Sequence, residues 1–107
     1  MEGRTCERLR LRSAKGGFTI NIGDMLQVWT NGQYAAPEHR VRSNPTLERF
    51  SAPFFYNPAY DAEMRPLQTD APRYSPFSWG YFRRRRFEGD FADEGKAEVQ
   101  IADFLIP

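Results

Sequence analysis

Three side chains in the stretch PEHRVRSNPTLERFSAPFF, residues 37–55, have types and spacing suited to chemistry. His39 is the single histidine of the chain, and imidazole is a common metal ligand. Arg49 follows ten residues later, and Ser51 two after that. On a strand, residues i and i+2 project to the same side, so Arg49 and Ser51 point together while Phe50 points away. A guanidinium meets a carboxylate through two parallel hydrogen bonds, and a neighbouring hydroxyl adds another. A redox metal such as Fe(II) is often held by two histidines and one carboxylate on one face, leaving other positions open. A small di-acid that chelates such a metal through one end needs a fixed cation at its far end. Arg49 and Ser51 are suited to that clamp. The ordinary alternative is a satisfied structural histidine, with Arg49 paired to Glu48 or Glu63.

These residues must be positioned by short, closely spaced elements. Residues 1–16 are polar and basic, and only RLRLR, residues 8–12, alternates in strand fashion. Phe18, Ile20 and Ile22 alternate with Thr19 and Asn21, which predicts a strand. Gly23-Asp24 reads as a turn, the apolar run 25–30 as a second strand, and Asn31-Gly32 as a tight turn. A third strand is expected over 38–43, a turn at 44–46, and an aromatic-rich fourth strand over 47–57. Pro53 gives that strand an edge position or a bulge. Residues 57–74 read as a proline-bearing loop. Ser75-Pro76 predicts a helix start, with Ser as cap and Pro in the first turn, running to about Phe87 and ending near Gly89. The pairs Phe77/Tyr81 and Trp79/Phe82 would then share faces of that helix. The apolar end of KAEVQIADFLIP is expected to pack back on the body. The fold class expected is mainly β with a C-terminal helix.

Composition narrows the function classes. With 107 residues the chain suits one small domain. Fifteen Lys and Arg against fourteen Asp and Glu leave a net charge of +1, which does not favour nucleic acid or an anionic membrane as the main partner. Nine Phe point to a packed interior rather than a disordered tail. No apolar run approaches the ~20 residues that cross a bilayer. The opening MEGRTCERLRLRSAKGG lacks the apolar core of a secretory signal, and Glu2 and Glu7 speak against a transit peptide. Cys6 has no partner for an internal disulfide, which suits a reducing compartment. A cytoplasmic protein is expected.

The sequence also carries a resemblance. INIGDMLQVWTNGQYAAPEHRV, followed by ERFSAPFFYNPAYDAEMRPL, resembles the C-terminal half of Fe(II)/2-oxoglutarate-dependent dioxygenases of the isopenicillin N synthase-like family. The matching elements are NIGD with WTNG, a His-Arg-Val, an Arg-x-Ser shortly after, and NP-x-YD leading to PL. WGYFRRRRF is similar to that family's C-terminal helix. The likeness spans about residues 17–90, and 1–16 stand apart as a basic segment that matches the family poorly. It implies a double-stranded β-helix, or jelly roll, present here in part. It implies Fe(II) held by a His-X-Asp pair and a distal histidine, with His39 in the distal position. Arg49 and Ser51 would hold the far carboxylate of the co-substrate 2-oxoglutarate. The implied reaction couples oxidative decarboxylation of 2-oxoglutarate to oxidation of a small organic substrate. Asn21, Met25, Phe54 and Phe55 would help to shape the substrate cavity.

One departure stands out. With a single histidine the chain has no His-X-Asp pair, which in the family lies several dozen residues before the distal histidine. Residues 17–107 therefore read as the C-terminal part of a dioxygenase domain, inactive alone. Two other classes stay open at this point: a small β-rich interaction module that self-associates through open sheet edges, and nucleic-acid binding through the Arg83–Arg86 helix. For the latter, the plainer reading of the four arginines is a solvated helix face with buried aromatics behind it.

Overall fold

The computed structural model describes residues 9–107 except 13, 44, 47, 91, 93 and 94. Cys6, Glu2, Glu7 and most of the basic opening lie outside the described residues.

Helix α1 spans Asp24–Trp29, where a strand was expected. Met25 and Val28, three apart, are its buried residues, a helical spacing rather than a strand one. Gly23 enters in an extended conformation as the N-cap, and Asp24 places a negative charge at the positive end of the helix. Asn31-Gly32 is a helix stop, not a hairpin turn. Asn31 has φ 55° and Gly32 φ 79°, and both residue types accept this left-handed region. The Asn31 N–H donates to Val28 O at 2.9 Å, and the Gly32 N–H to Gln27 O at 2.8 Å. Together these form the two-bond Schellman closure, which satisfies carbonyls that the helix end would otherwise leave open.

Two short strands pair antiparallel: β1, Glu63–Met64, and β2, Phe77–Ser78, with Glu63 opposite Ser78 and Met64 opposite Phe77. Helix α2 follows directly over Trp79–Asp90. It begins three residues after the position expected from Ser75-Pro76. Ser75 is engaged elsewhere, since its N–H and its hydroxyl both donate to Phe104 O, at 2.8 and 3.1 Å. Ser78 serves as the cap instead, its Oγ accepting the Tyr81 N–H at 3.3 Å. Gly80 lets α2 approach the 59–62 loop, for a methyl there would sit 2.7 Å from Tyr60 O.

The core is formed by Met25, Val28, Met64, Tyr74, Phe77, Phe82 and Val99, joining α1, the strand pair, α2 and the tail. Trp79 and Phe82 stack as expected, with centroids 6.0 Å apart. Phe77 does not pair with Tyr81, which is exposed; it packs on Phe82 at 5.5 Å and stacks on Phe104 at 4.0 Å. The tail does fold back. Val99 is buried, a short 3-10 helix spans Ile101–Phe104, Leu105 bridges Tyr74, and the Ile106 N–H donates to Arg73 O at 2.8 Å.

The expected strands over 17–22, 38–43 and 47–57 are not present among the described residues; these stretches are irregular. Their alternation is real, but a strand needs a ladder partner and a cover for its apolar face. Here Phe18 is 96% exposed and Phe50 90%. The β structure observed is a small two-stranded sheet alongside two helices, so the described residues are not mainly β. The expected C-terminal helix is present.

Candidate functional site

His39, Arg49 and Ser51 all lie on the irregular stretch between α1 and β1, and all three are exposed. The His39 Nδ1 is 3.1 Å from Pro37 O. The tautomer with hydrogen on Nδ1 donates to that carbonyl and leaves the Nε2 lone pair free, and backbone carbonyls hold ligating histidines in this way. Arg49 has no hydrogen-bond or ion-pair partner among the described residues. Its two suggested acids do not claim it there: Glu63 lies 3.4 Å from Arg65 instead. The guanidinium thus stands open to an external anion.

The approach to His39 is held by α1. The Tyr34 N–H donates to Thr30 Oγ1 at 3.3 Å, and the Ala36 N–H to Gln27 Oε1 at 2.7 Å. Gln27 Nε2 then donates to the hydroxyl of buried Tyr74 at 3.1 Å. Sequence reading overlooked Gln27 because it sits in a run taken as apolar. The available signal was that polar residue inside the apolar stretch.

Of the suggested cavity residues, Met25 is part of the core, while Asn21, Phe54 and Phe55 are exposed. A hollow of about 430 Å³ opens between the end of α1 and residues 67–69, lined among others by Trp29, Thr30 and Gln68; none of His39, Arg49 or Ser51 lines it. In the arginine run, Arg85 and Arg86 are half-buried and paired. Arg85 meets Glu88 at 3.3 Å, and Arg86 meets Asp24 and Glu98 while lying over the Phe82 ring. Phe82 is buried behind this face, whereas Tyr81 and Phe87 are exposed.

A three-ligand Fe(II) site is not assembled here. The chain has one histidine, and among the described residues no three of His, Cys, Asp and Glu converge. The residues present fit one ligand of such a centre, not the whole.

Comparison with known proteins defines the class. Residues 2–58 match the model of the 2OG-Fe(II) oxygenase superfamily, a stretch that takes in the basic opening as well as His39, Arg49 and Ser51. The chain belongs to that superfamily. It is 48% identical over 66 residues to gibberellin 2-beta-dioxygenase 8 of Arabidopsis thaliana, covering 62% of this chain and 19% of that protein. It is 38% identical over 88 residues to jasmonate-induced oxygenase 2 of Arabidopsis thaliana, covering 78% of this chain and 23% of that one. Over 93 residues it is 36% identical to a bi-functional coumaroyl CoA and feruloyl CoA ortho-hydroxylase of Ipomoea batatas, covering 82% and 25%. The chain thus spans about a fifth to a quarter of the length of these relatives. No solved structure matches it.

Proposed function

We propose that this chain carries the distal-histidine and carboxylate-anchor portion of an Fe(II)/2-oxoglutarate-dependent dioxygenase with a jelly-roll fold. His39 is the distal iron ligand. Arg49 holds the far carboxylate of 2-oxoglutarate, and Ser51 adds a hydrogen bond to the same group. The reaction couples 2-oxoglutarate decarboxylation to oxidation of a small organic substrate by O2. The observation that carries this reading is the family match over residues 2–58, a span that includes His39, Arg49 and Ser51. The free Nε2 of His39 and the unpaired guanidinium of Arg49 agree with it.

The 107 residues alone do not turn over, since one imidazole cannot fix the open coordination geometry that the chemistry requires. Exposed Phe18, Ile20, Phe50 and Phe54 are the side chains that strands of a complete jelly roll would cover. Uncovered, they favour self-association of the isolated chain. Incubation with Fe(II), 2-oxoglutarate and O2 tests the first point. Succinate at the level of a no-protein control is the expected result; succinate above it, abolished by His39→Ala, contradicts the reading.

A further inference from the structure

We propose that Gln27 is a positioning residue for His39, linking the imidazole to the buried core through a two-ended amide. The inference rests on the reading of His39 as a functional ligand. The orientation of the Gln27 amide is fixed by its partners. The backbone N–H of Ala36 can only donate, so Oε1 must face it, at 2.7 Å. Nε2 therefore faces Tyr74 and donates to its hydroxyl at 3.1 Å. Tyr74 is 3% exposed and bridges Leu105 of the tail, so one end of the tether is set in the buried core.

From Ala36 the restraint runs on to the imidazole. Ala36 precedes Pro37, and the proline ring holds its predecessor in extended conformations. The Pro37 carbonyl then accepts from His39 Nδ1 at 3.1 Å. An unbroken series of hydrogen bonds and one stiff dipeptide leads from Tyr74 to the ring of His39. No described residue over 38–56 belongs to a helix, strand or bridge, so local side-chain and backbone bonds set the course of the chain here.

Amide exchange by NMR on the 107-residue chain, with the His39 ring nitrogens observed at about pH 8 where an ordinary imidazole is neutral, tests the tether. Gln27→Met keeps the side-chain length and removes both bonds. The Ala36 amide should then exchange about tenfold faster, the equivalent of one lost hydrogen bond, while the Phe82 amide does not change. The His39 ring should shift from the Nδ1–H form toward a mixture of tautomers. Gln27→Glu should restore both readouts, because a carboxylate accepts from Ala36 and from the Tyr74 hydroxyl acting as donor. Tyr74→Phe should give an intermediate effect. Unchanged Ala36 exchange in Gln27→Met, or an unchanged tautomer with Ala36 released, would overturn the proposal. Neither readout needs metal or turnover, so the tether can fail while the ligand reading of His39 stands, and the converse.

Discussion

Arg86 of α2 reaches Asp24 at the start of α1, its Nη1 lying 3.2 Å from Asp24 Oδ2. The same guanidinium meets Glu98, Gln100 and the Val99 carbonyl. One side chain therefore ties α1, α2 and the tail. Arg86→Met keeps the stem over Phe82 and removes the fork. It should lower stability by ~1–3 kcal/mol, because several charge-assisted bonds go while about a third of the pair is open to solvent screening. Arg86→Lys should recover only part, since an ammonium lacks the planar fork. Urea denaturation measures both, and a loss below ~0.5 kcal/mol would show the clasp to be incidental.

Asn31 holds the end of α1 against the 71–73 loop. Its Nδ2 donates to Ala71 O at 3.0 Å, and its Oδ1 accepts the Arg73 N–H at 2.7 Å. Asn31→Ala loses both bonds and forces a Cβ-bearing residue without local compensation into φ 55°. A cost of ~2–3 kcal/mol is expected. Asn31→Gly keeps the conformation and loses only the bonds, so its cost should be clearly smaller. Equal costs for the two would mean the left-handed position carries no weight.

Two serines compete as the start of α2. Ser78→Ala removes the bond to the Tyr81 N–H and should cost about 1 kcal/mol. Ser75→Ala should cost less, because its own N–H still donates to Phe104 O. Thermal unfolding of the two variants ranks them, and the reverse order would return the cap to Ser75.

Where sequence and structure part, the cause lies in distance along the chain. The aromatic helix, its Trp79/Phe82 pair and the returning tail were legible because local spacing decides them. Ser75 and Asn31-Gly32 are good local signals with more than one use. Asn-Gly serves a hairpin or a Schellman stop equally well, and the buried pair Met25 and Val28 selects the stop. The strands expected at 38–43 and 47–57 have the right alternation, but pairing depends on partners that alternation cannot supply. His39, Arg49 and Ser51 are singled out by residue type and order alone, and their proposed roles rest on that order. Gln27 was not legible, since its partners Ala36 and Tyr74 lie nine and 47 positions away.

On the proposed reading, His39 and Arg49 retain the roles of an iron ligand and a 2-oxoglutarate anchor. The most direct measurement uses a chimaera in which the aligned stretch of this chain replaces its counterpart in Arabidopsis gibberellin 2-beta-dioxygenase 8. Succinate formation from 2-oxoglutarate is followed with Fe(II) and O2. The chimaera should turn over, and His39→Ala should abolish turnover. Arg49→Ala should raise KM for 2-oxoglutarate by roughly 10- to 100-fold, the equivalent of a lost charge-assisted pair. A folded chimaera whose turnover and KM are unchanged by His39→Ala and Arg49→Ala would show that neither residue holds iron or 2-oxoglutarate.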